Sequence, residues 1–126
     1  MSEKIEFAKV LTDRTKWLAI KIIKLVGTFP NKVEYWVIGK QMIRSATSVA
    51  ANYRAVTRAR SNKEFLAKIN IVVEECDETL FWLEMLEDAQ LIEANSLKDI
   101  KDETIEVLKV LAKSKKTMTA KLRGAG

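Results

Sequence analysis

The chain has 126 residues, with 22 Lys/Arg, 17 Asp/Glu, one cysteine and no histidine, for a formal net charge of +5. A hydrophobic fraction of 48% is that of a globular chain, and the length fits one domain with one core. Without histidine there is no Ser-His or Cys-His nucleophile, and the lone Cys76 leaves neither an ordinary zinc site nor an intramolecular disulfide.

Four glycines and one proline are sparse punctuation, which suits long helices. The first predicted helix covers about 5–28, where Phe7, Leu11, Leu18, Ile22, Leu25 and Phe29 recur at helical spacing until Gly27 and Pro30 stop it. The second covers about 32–58, with Ile43, Ala46, Ala50, Tyr53 and Thr57 on its inner stripe. On the opposite side Lys40, Arg44, Arg54 and Arg58 fall within about 80° of one another. Beside them runs a polar line, Gln41, Arg44, Ser48 and Asn52, and between the arginines lie the small Thr47, Ala51 and Ala55.

The third helix, about 62–89, opens on a capping box, Ser61-Asn62-Lys63-Glu64, and carries the stripe Phe65, Ile69, Val72, Cys76, Leu80 and Leu83. A flank of it repeats at heptad spacing as Ile71, Glu75, Glu78, Trp82 and Met85. The fourth covers about 96–121. It starts near Ser96, continues through Ile100, Val107, Leu111 and Met118, and is expected to fray at Arg123-Gly124-Ala125-Gly126. Short connections between long helices force antiparallel neighbours. The expected fold is all-α, an up-down-up-down four-helix bundle in a single domain, 1–126.

Charge is segregated along the chain. Residues 1–60 hold 12 Lys/Arg against 4 Asp/Glu, residues 61–96 hold 2 against 9, and residues 97–126 hold 8 against 4. Pairing between these segments is expected, with a basic remainder free for a polyanion. The third helix's flank admits two readings. Its glutamates reach water from boundary positions, or they meet arginines at a subunit interface, because a carboxylate among apolar groups is costly unless a cation pairs with it. The interface candidates are Arg44, Ile71, Glu75, Glu78, Trp82 and Met85. Glu74, Glu75, Asp77, Glu78 and Glu84 are a dense acidic group, but di-iron bundles pair their glutamates with histidine, so no metal and no cofactor is expected. No apolar run reaches the roughly 18 residues of a membrane span and no signal-peptide pattern opens the chain, so a cytoplasmic, reduced protein away from membranes is expected.

The stretch from Gln41 to Leu86 resembles the 23S rRNA intervening-sequence, or S23 ribosomal protein, family. Gln41, Arg44, Ser45, Ala46, Ser48, Val49, Ala51 and Asn52 match its pattern Q-x-x-R-[SA]-A-x-S-[VI]-x-[AP]-N. Arg60, Ser61, Lys63, Glu64 and Phe65 match the loop that follows, and Glu75, Glu78, Trp82 and Leu83 match the next helix. Phe29-Pro30 matches the family's F-P. Where many members read N-I-A-E-G, this chain has Asn52-Tyr53-Arg54-Ala55-Val56, which is similar to a basic sub-branch. The resemblance implies a small helical protein without enzymatic activity that assembles as a homopentamer. It also implies a relation to the accessory variability proteins of diversity-generating retroelements, which are basic, bind nucleic acid and contact a reverse transcriptase.

The expected function is therefore an oligomeric binder of RNA or DNA phosphates. The contacts would be Lys40, Arg54, Arg58 and Arg60, with Lys113, Lys115, Lys116, Lys121 and Arg123 near the end of the fourth helix. Arg44 is assigned to helix contact through Glu75 or Glu78. No stacking platform or base-reading motif is legible, so sequence-specific readout is not expected. The alternative is an oligomeric adaptor for a protein partner, in which the basic excess serves solubility.

Overall fold

The computed structural model of the chain describes residues 2–124. Four helices account for nearly all of them: α1 (Glu3–Val26), α2 (Val33–Val56), α3 (Asn62–Asp88) and α4 (Ala94–Gly124). Each packs antiparallel on the next, α2 with α3 most broadly, and α4 returns to α1 through the narrowest contact of the bundle. Among the described residues there is no strand.

Local chemistry sets the helix ends. The Ser2 hydroxyl accepts the Ile5 N–H at 3.3 Å and the Ser61 hydroxyl accepts the Glu64 N–H at 3.0 Å. The return half of the predicted capping box lands one residue early. Glu64 accepts from the Arg60 backbone N–H at 3.4 Å. The end of α3 is a Schellman motif built without glycine. Gln90 takes the left-handed conformation, φ 57°. Its N–H donates to the Glu87 carbonyl, and that of Leu91 to the Leu86 carbonyl, each at 3.0 Å. The Leu91 carbonyl then accepts the Tyr35 hydroxyl at 2.6 Å, which ties the start of α2 to the α3–α4 connection.

α4 departs most from expectation. It begins two residues before Ser96 and runs helically through Arg123 and Gly124. Ala125 and Gly126 lie outside the described residues.

The core is a stack of aliphatic side chains, among them Leu18, Ile22, Met42, Val49, Ile69, Val72, Leu83 and Leu111. Burial of each such side chain is worth about 1.5–3 kcal/mol. Of the predicted stripe positions, Leu25, Phe29, Ile43, Ala50, Phe65, Leu80 and Ile100 are only half-buried, while Thr57 and Phe7 are exposed. Thr79 and Leu86 complete the α3 stripe instead. Thr15, Ser45, Thr79 and Thr104 are fully buried, because each hydroxyl has a helical carbonyl three or four residues back to bond. Gly39 lets α1 and α2 close. A Cβ there would stand 2.7 Å from Val26 Cγ1.

Candidate functional site

α2 and α3 meet closely at Ser45, while Thr47 and Ala51 of α2 lie beside α1. Ser45 Oγ accepts from Thr79 Oγ1 at 2.8 Å across the fully buried α2–α3 contact. Above that contact, on the surface, Arg44 spreads its fork over α3. Nη1 donates to Glu75 Oε2 at 2.9 Å, and Nη2 to Glu78 Oε2. The Arg44 side chain is 49% exposed, against 20% for Glu75 and 36% for Glu78. Partial loss of hydration pulls the guanidinium pKa down, but the two carboxylates outweigh it and hold Arg44 above the ordinary arginine value. Asn52 continues the polar line, donating to the Ser48 carbonyl and hydroxyl at 2.9 Å each. The pairing expected for Arg44 is thus made within one chain, and no partner subunit is needed to supply it.

On this flank Ile71 and Met85 of α3 and Val37 of α2 remain exposed. Trp82, named with them from the sequence, is half-buried and packs on the core, edge-to-face with Phe81 at 4.9 Å. The other cross-helix ion pairs are Arg14–Glu103 at 2.7 Å and Lys101–Glu87 at 2.6 Å. The hydrogen bond that Lys101 donates to Glu87 holds its ammonium above the usual range. The acidic third segment therefore meets both basic ones, as charge segregation implied.

A second segregation runs along the bundle axis. A level through the contacts Arg14–Glu103, Ser45–Thr79 and Cys76–Thr104 divides the bundle in two. The half with the N-terminus of α1, the α2–α3 loop and the C-terminus of α4 (residues 2–14, 45–75 and 105–124) holds 14 Lys/Arg against 7 Asp/Glu. The other half (15–44 and 76–104) holds 8 against 10. One end of the molecule is basic and the other weakly acidic.

Most of the predicted phosphate contacts gather at the basic end. Arg54, Arg58, Arg60, Lys113, Lys116, Lys121 and Arg123 are exposed, and Lys115 is half-buried. Arg60 has an ion pair only with Glu64, at 3.6 Å and 89% exposed. Lys40 is corrected. It lies in the other half, its ammonium 5.3 Å from the centre of the Trp36 ring. Lys4, Lys9, Lys63 and Lys68 join the basic end and were not singled out by sequence, since nothing in the linear order sets the start of α1 beside the end of α4.

The one thiol and the Tyr53 hydroxyl are shut in. Burial, with the Asp77 charge adding to it, pushes the Cys76 thiol up to about 12, and burial pushes the Tyr53 hydroxyl up to about 12. Glu74, Asp77 and Glu84 face water. Among the described residues no group of three or more His, Cys, Asp or Glu is arranged to hold a metal ion. Among them too, no helix is long and apolar enough to cross a membrane.

Comparison with known proteins bears on this geometry. A family model described as 23S rRNA-intervening sequence protein matches residues 10–113. A solved structure from Bacteroides thetaiotaomicron, described as a protein with unknown function from the S23 ribosomal protein family, is 32% identical. The match covers 86% of this chain and 97% of that one, with a TM-score of 0.79. No curated protein matches the chain.

Proposed function

The chain belongs to the 23S rRNA-intervening sequence protein family, and on that premise we propose that it is a non-enzymatic, oligomeric protein that binds RNA or DNA through phosphate contacts at its basic end. The observation that carries the proposal is the axial charge split, 14 Lys/Arg against 7 Asp/Glu in one half and 8 against 10 in the other. A polyanion meeting the basic half releases counterions with each phosphate neutralised, and the guanidinium forks of Arg58 and Arg60 suit phosphate. Their exposure leaves them little to give up on binding.

Oligomerisation, with a pentamer as the expected state, is supported by apolar surface on two separate faces. Ile71, Met85 and Val37 lie on the α2–α3 flank, while Trp17 (59% exposed) and Val10 (63% exposed) lie on α1. A ring needs two different faces, one on each side of every subunit. Five copies would set five basic ends on one assembly.

A second reading keeps the oligomer and drops the nucleic acid. It makes the chain a scaffold for a protein partner, such as a reverse transcriptase, and the same apolar faces favour it. The test is the double variant Arg58→Ala with Arg60→Ala, titrated with a labelled single-stranded RNA. It should stay folded and assembled, bind more weakly, and lose about one unit of salt slope per phosphate contact removed. No RNA binding by the wild type at low salt leaves the scaffold as the function.

A further inference from the structure

α1 and α4 part company toward the basic end. α4 there lines the seam with Val110 and Met118, interrupted by Lys113, Ser114, Thr117 and Lys121. The first apolar turn of α1 is only partly covered, so Phe7 stands 49% exposed. A hollow of about 460 Å³ results, with Phe7, Phe65, Val110 and Met118 as its apolar surface and Lys4, Lys113 and Lys121 on its rim. That size lies within the range of small-molecule sites. A neighbouring hollow of about 390 Å³ shares Lys4, Phe65 and Met118, and Arg60 and Asn62 lie on it. Among the described residues no carboxylate lines either one.

We propose that this pair of hollows is a single-strand site, in which an unstacked nucleobase lies on Phe7 while Lys4, Lys113, Lys121 and Arg60 hold the flanking phosphates. The inference rests on the nucleic-acid reading above and deepens it by naming the form of nucleic acid. The physical case is the pairing of an apolar floor with an all-cationic rim. An aromatic face takes any base at little cost in sequence preference, and lysines beside it track a backbone. A duplex keeps its base faces stacked on one another and offers only phosphates, sugars and groove edges, so it has no free face to lay on Phe7. The two adjoining hollows give a path for successive nucleotides, from Lys121 and Lys113 across Phe7 to Arg60.

The test compares a fluorescein-labelled 20-nucleotide single strand with the duplex of the same sequence, at one salt concentration. Phe7→Ala should weaken single-strand binding about 5- to 150-fold, the range set by one lost stacking contact, and leave duplex binding unchanged. Phe7→Trp should restore binding, and its added indole emission should be quenched when the strand binds. Circular dichroism confirms that each variant is folded. Equal losses for strand and duplex, or a Phe7→Trp protein that binds without quenching, would overturn the site while leaving the basic end as a nucleic-acid surface. Tight uptake of cis-parinaric acid that the single strand fails to displace would also overturn it, and would assign the hollow to an anionic amphiphile. Wild-type protein that binds neither strand nor duplex removes the underlying reading and this one together.

Discussion

Replacing Arg44 by alanine strips the fork that joins α2 to Glu75 and Glu78 on α3. Two carboxylates one helical turn apart then lose their common cation. Truncating one partner of a fully buried pair costs about 3–5 kcal/mol, and an exposed pair is worth about 0–1 kcal/mol. Here the arginine is 49% exposed and Glu75 only 20%, so solvent screening discounts the larger figure heavily. Two charge-assisted bonds at this depth point to a loss of about 1–2 kcal/mol. In urea, with a slope of about 1–3 kcal/mol/M, the midpoint should fall by roughly 0.3–2 M at unchanged slope. A double-mutant cycle with Glu75→Gln isolates the pair. A midpoint unmoved by Arg44→Ala would show that the fork contributes nothing. A loss as large as that of a buried pair, growing with protein concentration, would show that a partner subunit covers it.

The flank itself should answer to Ile71→Glu combined with Met85→Glu. Both side chains are exposed in the single chain, so the double variant should stay helical and sediment as a smaller species, and unchanged sedimentation moves the interface elsewhere. Trp82 is a poorer probe, since its packing on the core mixes folding with assembly. Cys76 should resist a disulfide reagent until the protein unfolds, because its thiol is buried and held protonated. Cys76 and Tyr53 both have folded pKa values raised to about 12 from 9.0 and 10.0, so the unfolded chain loses protons first on the alkaline side. Their contribution is complete below about pH 9 and is lost as pH rises toward 12, and Tyr53→Phe should flatten that decline. Gly39→Ala gains roughly 1 kcal/mol of helix propensity but sets a methyl 2.7 Å from Val26, so it should lower the thermal midpoint; a rise would mean that α1 yields easily.

Much of the fold was legible because periodicity, Pro30 and the Ser61 cap are local signals. The buried threonines were not, because a threonine reads as polar until its hydroxyl is seen bonding its own helix. Phe7 misled for a related reason. It continues the stripe of α1, but whether a stripe is covered depends on the partner, and α4 offers lysines there. Arg44 with Glu75 and Glu78 could be anticipated, since opposite charges on two antiparallel neighbours have few other places to go. The basic end could not, since it needs three segments distant in the chain to meet. Lys40 shows the limit most plainly. It shares an angular face with Arg54, yet fourteen residues of helix separate them, roughly 21 Å, and a helical wheel discards that coordinate.

The central claim is that position, and not net charge alone, directs nucleic acid to one end of the bundle. Two variants of equal net charge test it. One carries Arg58→Gln, Arg60→Gln and Lys116→Gln at the basic end. The other carries Lys21→Gln, Lys24→Gln and Lys32→Gln in the opposite half, at exposed positions without ion pairs. Each is titrated with the same labelled single-stranded RNA across a salt series. The basic-end variant should lose up to about three units of salt slope and most of its affinity, and the other should stay close to wild type. Equal losses in the two would contradict the account and leave only a diffuse attraction between a cationic protein and a polyanion.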